Sequence, residues 1–264
     1  MARLTKLSRS VQGCRVVVTG AASGMGRATA MLFADEGARV AVVDLGADRV
    51  RAVVDEIHAA HGVDAAIGLV VDMADGEQIK KLVTDVVAAF GGLDAIVNNA
   101  GVAEPNSLFL DEAAFEDSWR HTLDVNLTAH ARFVRAALPY LQQAPTGGRV
   151  VNIASTEAIV TTAGMASYTA SKAGVVGLTK SMAVELGRHN VTANCICPGP
   201  IRTGMTAGIS DGDKETYARR RVPLRRYGDP EEVAQMTLNL CLPASSFVNG
   251  AIIPVDGGMS IRHT

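Results

Sequence analysis

The chain has 264 residues, of which 48% are hydrophobic and 20% charged, and its formal net charge is -2. This composition is typical of a globular protein with a substantial core, and it excludes a disordered chain. The small net charge and the 4% content of aromatic residues give no reason to expect a nucleic-acid partner or an anionic membrane.

The opening segment and the cysteines bear on the compartment. The basic opening MARLTKLSRSVQG lacks the apolar core of a secretory signal and is interpreted as a short arm. No apolar run approaches the length of a membrane span. The four cysteines form neither a C-x-x-C pair nor a cluster with zinc spacing, and they are Cys14, Cys195, Cys197 and Cys241. We therefore predict a reduced, cytoplasmic protein without a metal.

Strands and helices alternate in the first half of the chain. RVVVTG predicts a strand, and GMGRATAMLFADEG after it has helical spacing. ARVAVVD is a second strand that ends at Asp44, and AAIGLVVD is a third that ends at Asp72, with a helix between them. The next predicted helix begins after Asp75 and ends at Gly91. LDAIVNNAG is the fourth strand.

The second half continues the pattern. A long helical stretch, with room for one break, is predicted from Asp111 to about Leu141. GRVVNIAS is the fifth strand, Met165 to Arg188 is a helix, and VTANCICPG is the sixth strand. A late helix begins at Asp229 with Pro230 in its first position, and AIIPVDGG is the last strand.

The predicted strands are continuous apolar runs, as expected when helices cover both faces of a parallel sheet. Alternating strands and helices with right-handed crossovers predict an α/β fold with a doubly wound, mostly parallel seven-stranded Rossmann sheet and helices on both faces. No linker, charge block or low-complexity segment divides residues 1–264, so we expect a single domain.

A glycine-rich turn, TGAASGMG, lies between the first strand and its helix. Gly20, Gly24 and Gly26 would let a pyrophosphate approach backbone N–H groups at the positive end of the helix. Asp44, at the end of the second strand, can accept hydrogen bonds from the adenosine ribose hydroxyls and would repel a 2′-phosphate. These residues favour NAD over NADP, although Arg27 and Arg39 keep NADP open.

The stretch ASYTASKAG places Tyr168 and Lys172 one helical turn apart, on one face. A free tyrosine has a pKa of about 10, which is too high for an efficient base near neutral pH. The ammonium of Lys172 and the cationic oxidised nicotinamide would both lower that pKa. The small neighbours of Tyr168 leave room for a cofactor and a substrate.

These motifs occur together with NNAG (98–101), VNL with Asn126, IAS with Ser155, and PGPIRT (198–203). In this order and spacing the chain resembles the short-chain dehydrogenase/reductase family, in its shorter, single-domain branch. The resemblance extends from the glycine turn to the C-terminal VDGG.

The resemblance implies a role for each matching residue. Tyr168 would be the acid/base, Lys172 would also bind the nicotinamide ribose, Ser155 would bind the reacting oxygen, and Asn126 would anchor a relay water. A structural role alone also remains open for Ser155 and Asn126. The residues expected to bind the cofactor are Gly20, Ser23, Gly24, Met25, Gly26, Asp44, Leu45, Asp72, Met73, Asn99, Ala100, Gly101, Tyr168, Lys172, Pro198, Gly199, Ile201 and Thr203. Those expected to bind the substrate are Ser155, Glu157, Met165, Tyr168 and Met205.

Three functions compete. The first is an NAD-dependent oxidoreductase that interconverts a secondary alcohol and its ketone, in an apolar or mixed pocket. The second is a reductase of 3-oxoacyl thioesters carried on an acyl carrier protein or coenzyme A, although Asp44 argues against a biosynthetic enzyme that draws on NADPH. The third is a non-catalytic dinucleotide sensor, which the intact Ser155, Tyr168 and Lys172 disfavour.

Three further expectations concern the surface. Residues 203–226, rich in Gly and Asp, are interpreted as a substrate lid, and the family resemblance implies a homotetramer. The arginine cluster RRRVPLRR (219–226) ends a helix and pairs locally, or it docks an anion. No chemistry is assigned to the six histidines, His58, His61, His121, His130, His189 and His263.

Overall fold

The computed structural model describes residues 5–262, and within them seven parallel strands form one sheet. His263 and the first four residues of the predicted arm lie outside the described residues. The strands are β1 (Arg15–Thr19), β2 (Arg39–Asp44), β3 (Ala66–Val70), β4 (Ala95–Asn98), β5 (Gly148–Ile153), β6 (Val191–Pro198) and β7 (Ile252–Val255). Their order across the sheet is β3-β2-β1-β4-β5-β6-β7.

Eight α-helices connect these strands in the described part of the chain. They are α1 (Gly24–Asp35), α2 (Ala47–His61), α3 (Gly76–Phe90), α4 (Glu112–Leu123), α5 (Ala129–Leu141), α6 (Ala166–Leu186), α7 (Asp211–Arg221) and α8 (Pro230–Cys241). No helix of residues 5–262 is both long and apolar enough to cross a membrane.

The helices pack on both faces of the sheet, and alternate strand residues supply two cores. Val16 and Val18 of β1 pack with α1, α2 and α8, whereas Val17 packs with α3, α5 and α6. All residues of β4, β5 and β6 are buried. The doubly wound parallel sheet predicted from continuous apolar strands is therefore confirmed.

The order of the strands fixes where a ligand can bind. β1 pairs with β2 on one side and with β4 on the other, so the winding reverses between β1 and β4. A crevice opens at the carboxyl ends of such strands. Thr19, the last residue of β1, crosses this crevice: its Oγ1 accepts hydrogen bonds from the backbone N–H groups of Asn99 and Ala100, both at 3.0 Å.

The predicted long helix is broken once, as expected. α4 and α5 are separated by a π-helical turn, Asp124–Thr128, which contains Asn126. Several strand and helix ends differ from the prediction by a few residues, among them those of β3, β4, β5, β7 and α6. β3 ends at Val70 and not at Asp72, and α6 ends at Leu186, where a short 3-10 turn leads into the left-handed residue Asn190.

Candidate active site

The glycine turn has the backbone that a phosphate site requires. Gly20 and Gly24 have φ angles of +63° and +53°, in the left-handed region that favours glycine. A Cβ at Gly20 would lie 2.9 Å from the Cα atom of Ala100, and one at Gly24 would lie 3.2 Å from the Thr203 side chain. α1 begins at Gly24, so its free N–H groups face this turn. The residues present therefore fit a dinucleotide pyrophosphate.

A cleft of about 390 Å³ runs from this turn to the predicted catalytic helix. It brings together most of the residues predicted to bind the cofactor, namely Gly20, Ser23, Gly24, Met25, Asp44, Leu45, Asp72, Met73, Asn99, Ala100, Gly101, Tyr168, Lys172 and Thr203. Met205, predicted to bind the substrate, lies there as well.

Several predicted site residues do not line this cleft. They are Gly26, Asn126, Ser155, Glu157, Met165, Pro198, Gly199 and Ile201. Gly26 has a structural reason to be glycine, because a Cβ there would lie 2.1 Å from the Gly20 carbonyl oxygen. Ile201 is buried and borders a separate cavity beside Gly228.

A wider groove of about 960 Å³ lies on the outer side of the glycine turn, between α1 and the start of α8. It shares Gly24, Thr203 and Gly204 with the cleft but contains neither Tyr168 nor Lys172. The groove is the larger of the two, but the polar groups converge in the smaller cleft. We therefore take the cleft as the candidate active site.

The end of the cleft beside Asp44, called the adenosine end after the group expected there, contains an ion pair that was not predicted from the sequence. Asp44 Oδ1 lies 3.2 Å from Nη2 of Arg49, and the other carboxylate oxygen accepts a hydrogen bond from the Ala22 N–H. Arg49 lines the cleft and its side chain is 62% exposed. The sequence contained one indication of this ion pair, because Arg49 lies in the first turn of α2, five residues after Asp44.

Arg27 and Arg39, the two arginines for which the sequence left NADP binding open, do not line the cleft. Arg27 pairs with Glu56 at 2.5 Å. Arg39 stacks over the Phe90 ring, 4.5 Å from its centroid. The cationic group at the adenosine end of the cleft is therefore Arg49.

Tyr168 and Lys172 lie together at the other end of the cleft, called the nicotinamide end after the group expected there, since α6 places them on successive turns. Lys172 Nζ is 5.7 Å from the centroid of the Tyr168 ring and donates a 2.9 Å hydrogen bond to the Ile153 carbonyl. Lys172 is only 3% exposed, and this burial lowers its pKa to about 8. The amine therefore loses its proton more readily than a surface lysine would.

The pKa of Tyr168 differs from the sequence-based expectation. Burial raises the pKa of this phenol, a hydrogen-bonding contact with Ser155 opposes the shift, and the charge of Glu157 adds to it. Without a cationic cofactor the low dielectric around the ring therefore outweighs the effect expected from Lys172. The neighbouring lysine alone does not produce the predicted lowering.

Ser155 and Glu157 are held by the turn that follows β5. The Ser155 hydroxyl oxygen accepts a 3.1 Å hydrogen bond from the Glu157 N–H. The Glu157 carboxylate accepts bonds from the N–H and hydroxyl of Thr162, at 2.9 and 2.7 Å. Glu157 thereby fixes the loop beside Tyr168.

Asn126 joins three segments behind the cleft. Its Oδ1 accepts from the Val102 N–H at 2.8 Å, and its Nδ2 donates to the Val102 carbonyl and to the Ser171 hydroxyl oxygen. The side chain is fully buried. These hydrogen bonds give Asn126 the structural role that the sequence analysis left open for it. They align the NNAG turn with α6.

Two histidines have surroundings that the sequence did not indicate. His121 lines the cleft, with Nδ1 2.8 Å from a carboxylate oxygen of Glu104. His130 is buried in α5. Within residues 5–262, no group of three or more His, Cys, Asp or Glu residues is arranged to hold a metal ion.

The arginine cluster is partly satisfied by local partners. Arg219, Arg220 and Arg221 form the last turn of α7, where cations interact favourably with the helix dipole. Arg226 makes two 2.6 Å hydrogen bonds to the carboxylate of Glu232, which lower the pKa of that carboxylate to about 2. The local pairing predicted for Arg226 is confirmed.

Comparisons with known proteins identify the family of the chain. A family model described as enoyl-(acyl carrier protein) reductase matches residues 20–260. The chain is 39% identical to 3-oxoacyl-(acyl-carrier-protein) reductase FabG of Thermotoga maritima, over 95% of this chain and 99% of the relative. The chain therefore belongs to the short-chain dehydrogenase/reductase family, and it is an oxidoreductase of that family.

Two solved structures show the same fold with a cofactor bound. One is a 7α-hydroxysteroid dehydrogenase complexed with NADH and 7-oxo glycochenodeoxycholic acid, 31% identical, with a TM-score of 0.88 over 95% of this chain and 96% of that one. The other is L-sorbose reductase from Gluconobacter frateurii with NADPH and L-sorbose, 29% identical, with a TM-score of 0.88 over 95% and 98%. One structure contains NADH and the other NADPH. Membership of the family therefore indicates a nicotinamide dinucleotide cofactor but does not decide between the two.

Proposed function

We propose that this protein transfers a hydride between a nicotinamide cofactor and the carbon of a secondary alcohol or its ketone, with Tyr168 as the acid/base. One observation carries the proposal: a single cleft joins the glycine turn, which fits a pyrophosphate, to the Tyr168–Lys172 pair. When bound, the cofactor supplies or accepts the hydride. The protein has to move one proton at the substrate oxygen.

The proton steps follow from the positions of the side chains. In alcohol oxidation the Tyr168 oxygen accepts the hydroxyl proton, and Ser155 hydrogen-bonds the reacting oxygen from the adjacent turn. Lys172 stabilises the phenolate by its charge and is directed by the Ile153 carbonyl. Asn126 holds α6 and the NNAG turn in register, and we propose that it also anchors the relay water that the family resemblance implies.

NAD is the cofactor that we propose, on the strength of Asp44. Its carboxylate stands at the end of β2 and faces the cleft, where it would accept hydrogen bonds from ribose hydroxyls and repel a phosphate. Arg49 opposes this preference, since an exposed guanidinium could leave Asp44 and bind a 2′-phosphate. We expect NAD to be preferred and NADP to be used with lower efficiency.

The substrate class has two candidates, and the relatives favour the second. The apolar Met205 at the cleft agrees with a neutral alcohol or ketone. The name of the 39% identical FabG relative instead supports a 3-oxoacyl thioester, whose 3-keto group undergoes the same reaction. The arginine cluster at the end of α7 is a candidate contact for the anionic carrier of such a thioester.

The remaining parts of the proposal concern the lid, the assembly and the compartment. Residues 203–226 form a short turn and α7, and Met205 at their start lines the cleft, which supports a lid within one domain. Val184 and Phe109 are 85% and 98% exposed, and such apolar groups support a homotetramer. All four cysteines are free thiols, which supports the cytoplasm.

A substrate panel tests the proposal. Secondary alcohols, polyols, hydroxysteroids and 3-hydroxyacyl thioesters would be offered with NAD and with NADP, and the reduced cofactor followed by its absorbance. We expect turnover of at least one class, with NAD preferred. Cofactor binding without turnover of any class would contradict the proposal and favour the sensor.

A further inference from the structure

Glu157 is an acid beside the predicted reaction centre that takes no part in the proton steps. It stands two residues after Ser155, whose Oγ accepts a 3.1 Å hydrogen bond from the Glu157 N–H. Its carboxylate oxygen Oε2 accepts a 3.4 Å hydrogen bond from the hydroxyl of Thr169, the residue that follows Tyr168 in α6. The Glu157 side chain is thus anchored next to both residues expected to contact the reacting oxygen.

Hydrogen bonds hold this carboxylate but do not neutralise it. Oε2 accepts the N–H of Thr162 at 2.9 Å, and Oε1 accepts the Thr162 hydroxyl at 2.7 Å. These donors and the Thr169 hydroxyl are all uncharged. None of the ion pairs formed within residues 5–262 involves Glu157. A fixed negative charge without an ion-pair partner in the described chain therefore stands beside the predicted reaction centre.

The charge of Glu157 acts on the phenols of two helices. Burial is the largest cause that raises the pKa of Tyr168, and the charge of Glu157 adds to it. On α7, burial first, then Tyr227 and then Glu157 raise the pKa of Tyr217, whereas Arg221 lowers it. Both phenols are uncharged near neutral pH, so they do not offset the carboxylate.

Lys172 is the cation one turn from Tyr168, but it is far less accessible than Glu157. Its side chain is 3% exposed, and Nζ donates a 2.9 Å hydrogen bond to the Ile153 carbonyl. Glu157, in contrast, is half-buried. Of these two charges, that of Glu157 is therefore the one open to a substrate group close to Ser155.

The consequence concerns substrates that carry a carboxylate next to the reacting group. Two like charges about 4 Å apart disfavour binding about 5-fold even at the dielectric constant of bulk water, and more in a cleft that excludes water. An ester, a thioester or an amide of the same acid has the same skeleton and no charge, so it escapes this repulsion.

We propose that Glu157 is a specificity-determining residue that excludes substrates with a free carboxylate next to the reacting carbon and admits their neutral derivatives. The inference rests on the proposed function and narrows its substrate class. A 3-oxoacyl group would be reduced as its thioester and not as the free 3-oxo acid, and a simple alcohol would have to be neutral around the hydroxyl carbon.

The test uses racemic 3-hydroxybutyrate and 3-hydroxybutyramide, which differ in charge and hardly in shape, with NAD as the oxidant. We expect the unmutated enzyme to prefer the amide at least about 5-fold in kcat/KM. Glu157→Gln keeps the length of the side chain and an oxygen that can accept from Thr162, and it should abolish most of this preference. The ratio of the two substrates cancels a general loss of activity in the variant. Glu77→Gln on α3 is the matched control, because it makes the same change at an exposed acid outside the cleft, and it should leave the ratio unchanged.

An equal ratio in the unmutated enzyme and in Glu157→Gln would overturn the inference, and so would a preference of the unmutated enzyme for the acid, which needs no variant. Turnover of neither compound would count against the proposed function, and the inference would then be decided by binding alone. Both compounds would be titrated into the complex of the unmutated protein with NADH and followed by the fluorescence of the cofactor. Anything other than tighter binding of the amide would refute the role of Glu157.

Discussion

The two ends of the candidate cleft hold their charged groups in different ways. At the adenosine end, Asp44 pairs with Arg49, whose side chain is 62% exposed and can move aside. At the nicotinamide end, Lys172 is 3% exposed and is directed by a backbone carbonyl. Burial shifts the pKa values of Lys172 and Tyr168, because a charged form loses its hydration there.

The difference separates chemistry from selectivity. A buried group whose position is fixed can keep a proton-transfer geometry, and changing it should affect the reaction step. An exposed ion pair is weak and screened by solvent, so changing it should alter which cofactor binds.

The largest effect is expected from Tyr168→Phe, which removes the phenol oxygen and leaves the ring. Alcohol oxidation should fall about 10²- to 10⁴-fold, the usual range for a general acid or base. NADH binding, measured by fluorescence titration, should change little. Oxidation by the unmutated enzyme should rise with pH as the phenol ionises, and the variant should lose that dependence.

Tyr140→Phe is the matched control, since it makes the same chemical change on α5 at a residue that packs against the sheet core and does not line the cleft. It should retain the kcat and the pH profile of the unmutated enzyme. Nearly full turnover by Tyr168→Phe on the true substrate would show that another group moves the proton.

At the buried end, the sequence predicts that Tyr168 and Lys172 lie together. The seven strands and the glycine turn follow from local patterns, because periodicity and tight turns are encoded by neighbouring residues, whereas the position of the π-helical turn before α5 does not. The pairing of Tyr168 with Lys172 follows from helical spacing alone. Arg49 and His130 could not be predicted in the same way, since their surroundings depend on side-chain directions across separate elements.

The pKa of Tyr168 shows the same limit. The sequence predicts that the lysine one turn away and the cationic nicotinamide together lower the pKa of Tyr168, but the depth of the ring in the cleft is a property of the whole fold. Among the protein's own contributions, burial is the largest, and it raises the pKa. A motif thus identifies the groups that interact, while the tertiary structure decides which interaction is larger.

A smaller effect, on cofactor choice, is expected at the exposed end. Asp44→Ala removes the carboxylate that would repel a 2′-phosphate and frees Arg49 to bind it. The ratio of kcat/KM for NAD to that for NADP should fall about 10- to 100-fold, as for a lost hydrogen bond to a charged group. Arg49→Gln should change the ratio in the opposite direction, mainly by weakening NADP.

Both variants should keep the kcat of the unmutated enzyme at saturating NAD, because neither touches the proton path. Measurements of kcat/KM for each cofactor at fixed substrate concentration decide the outcome. Equal use of NAD and NADP by the unmutated enzyme would contradict the role given to Asp44, and a large loss of kcat in Asp44→Ala would contradict the separation of the two ends.

The smallest effect is expected outside the cleft, for the double change Arg219→Ala/Arg220→Ala at the end of α7. Arg219 is 72% exposed and lies 3.7 Å from Glu215, so its loss should cost little stability. KM for a small neutral alcohol should stay the same. If the substrate is a thioester with an anionic carrier, its KM should rise about 2- to 5-fold, the range of one or two exposed charge contacts, and added salt should reproduce the increase by screening. The matched control is Lys80→Ala/Lys81→Ala on α3, which likewise removes two neighbouring exposed cations, each paired with an acid of its own helix. Should the KM of an anionic substrate respond to neither salt nor the arginine variant, the cluster is a solvated helix end and selectivity lies within the cleft.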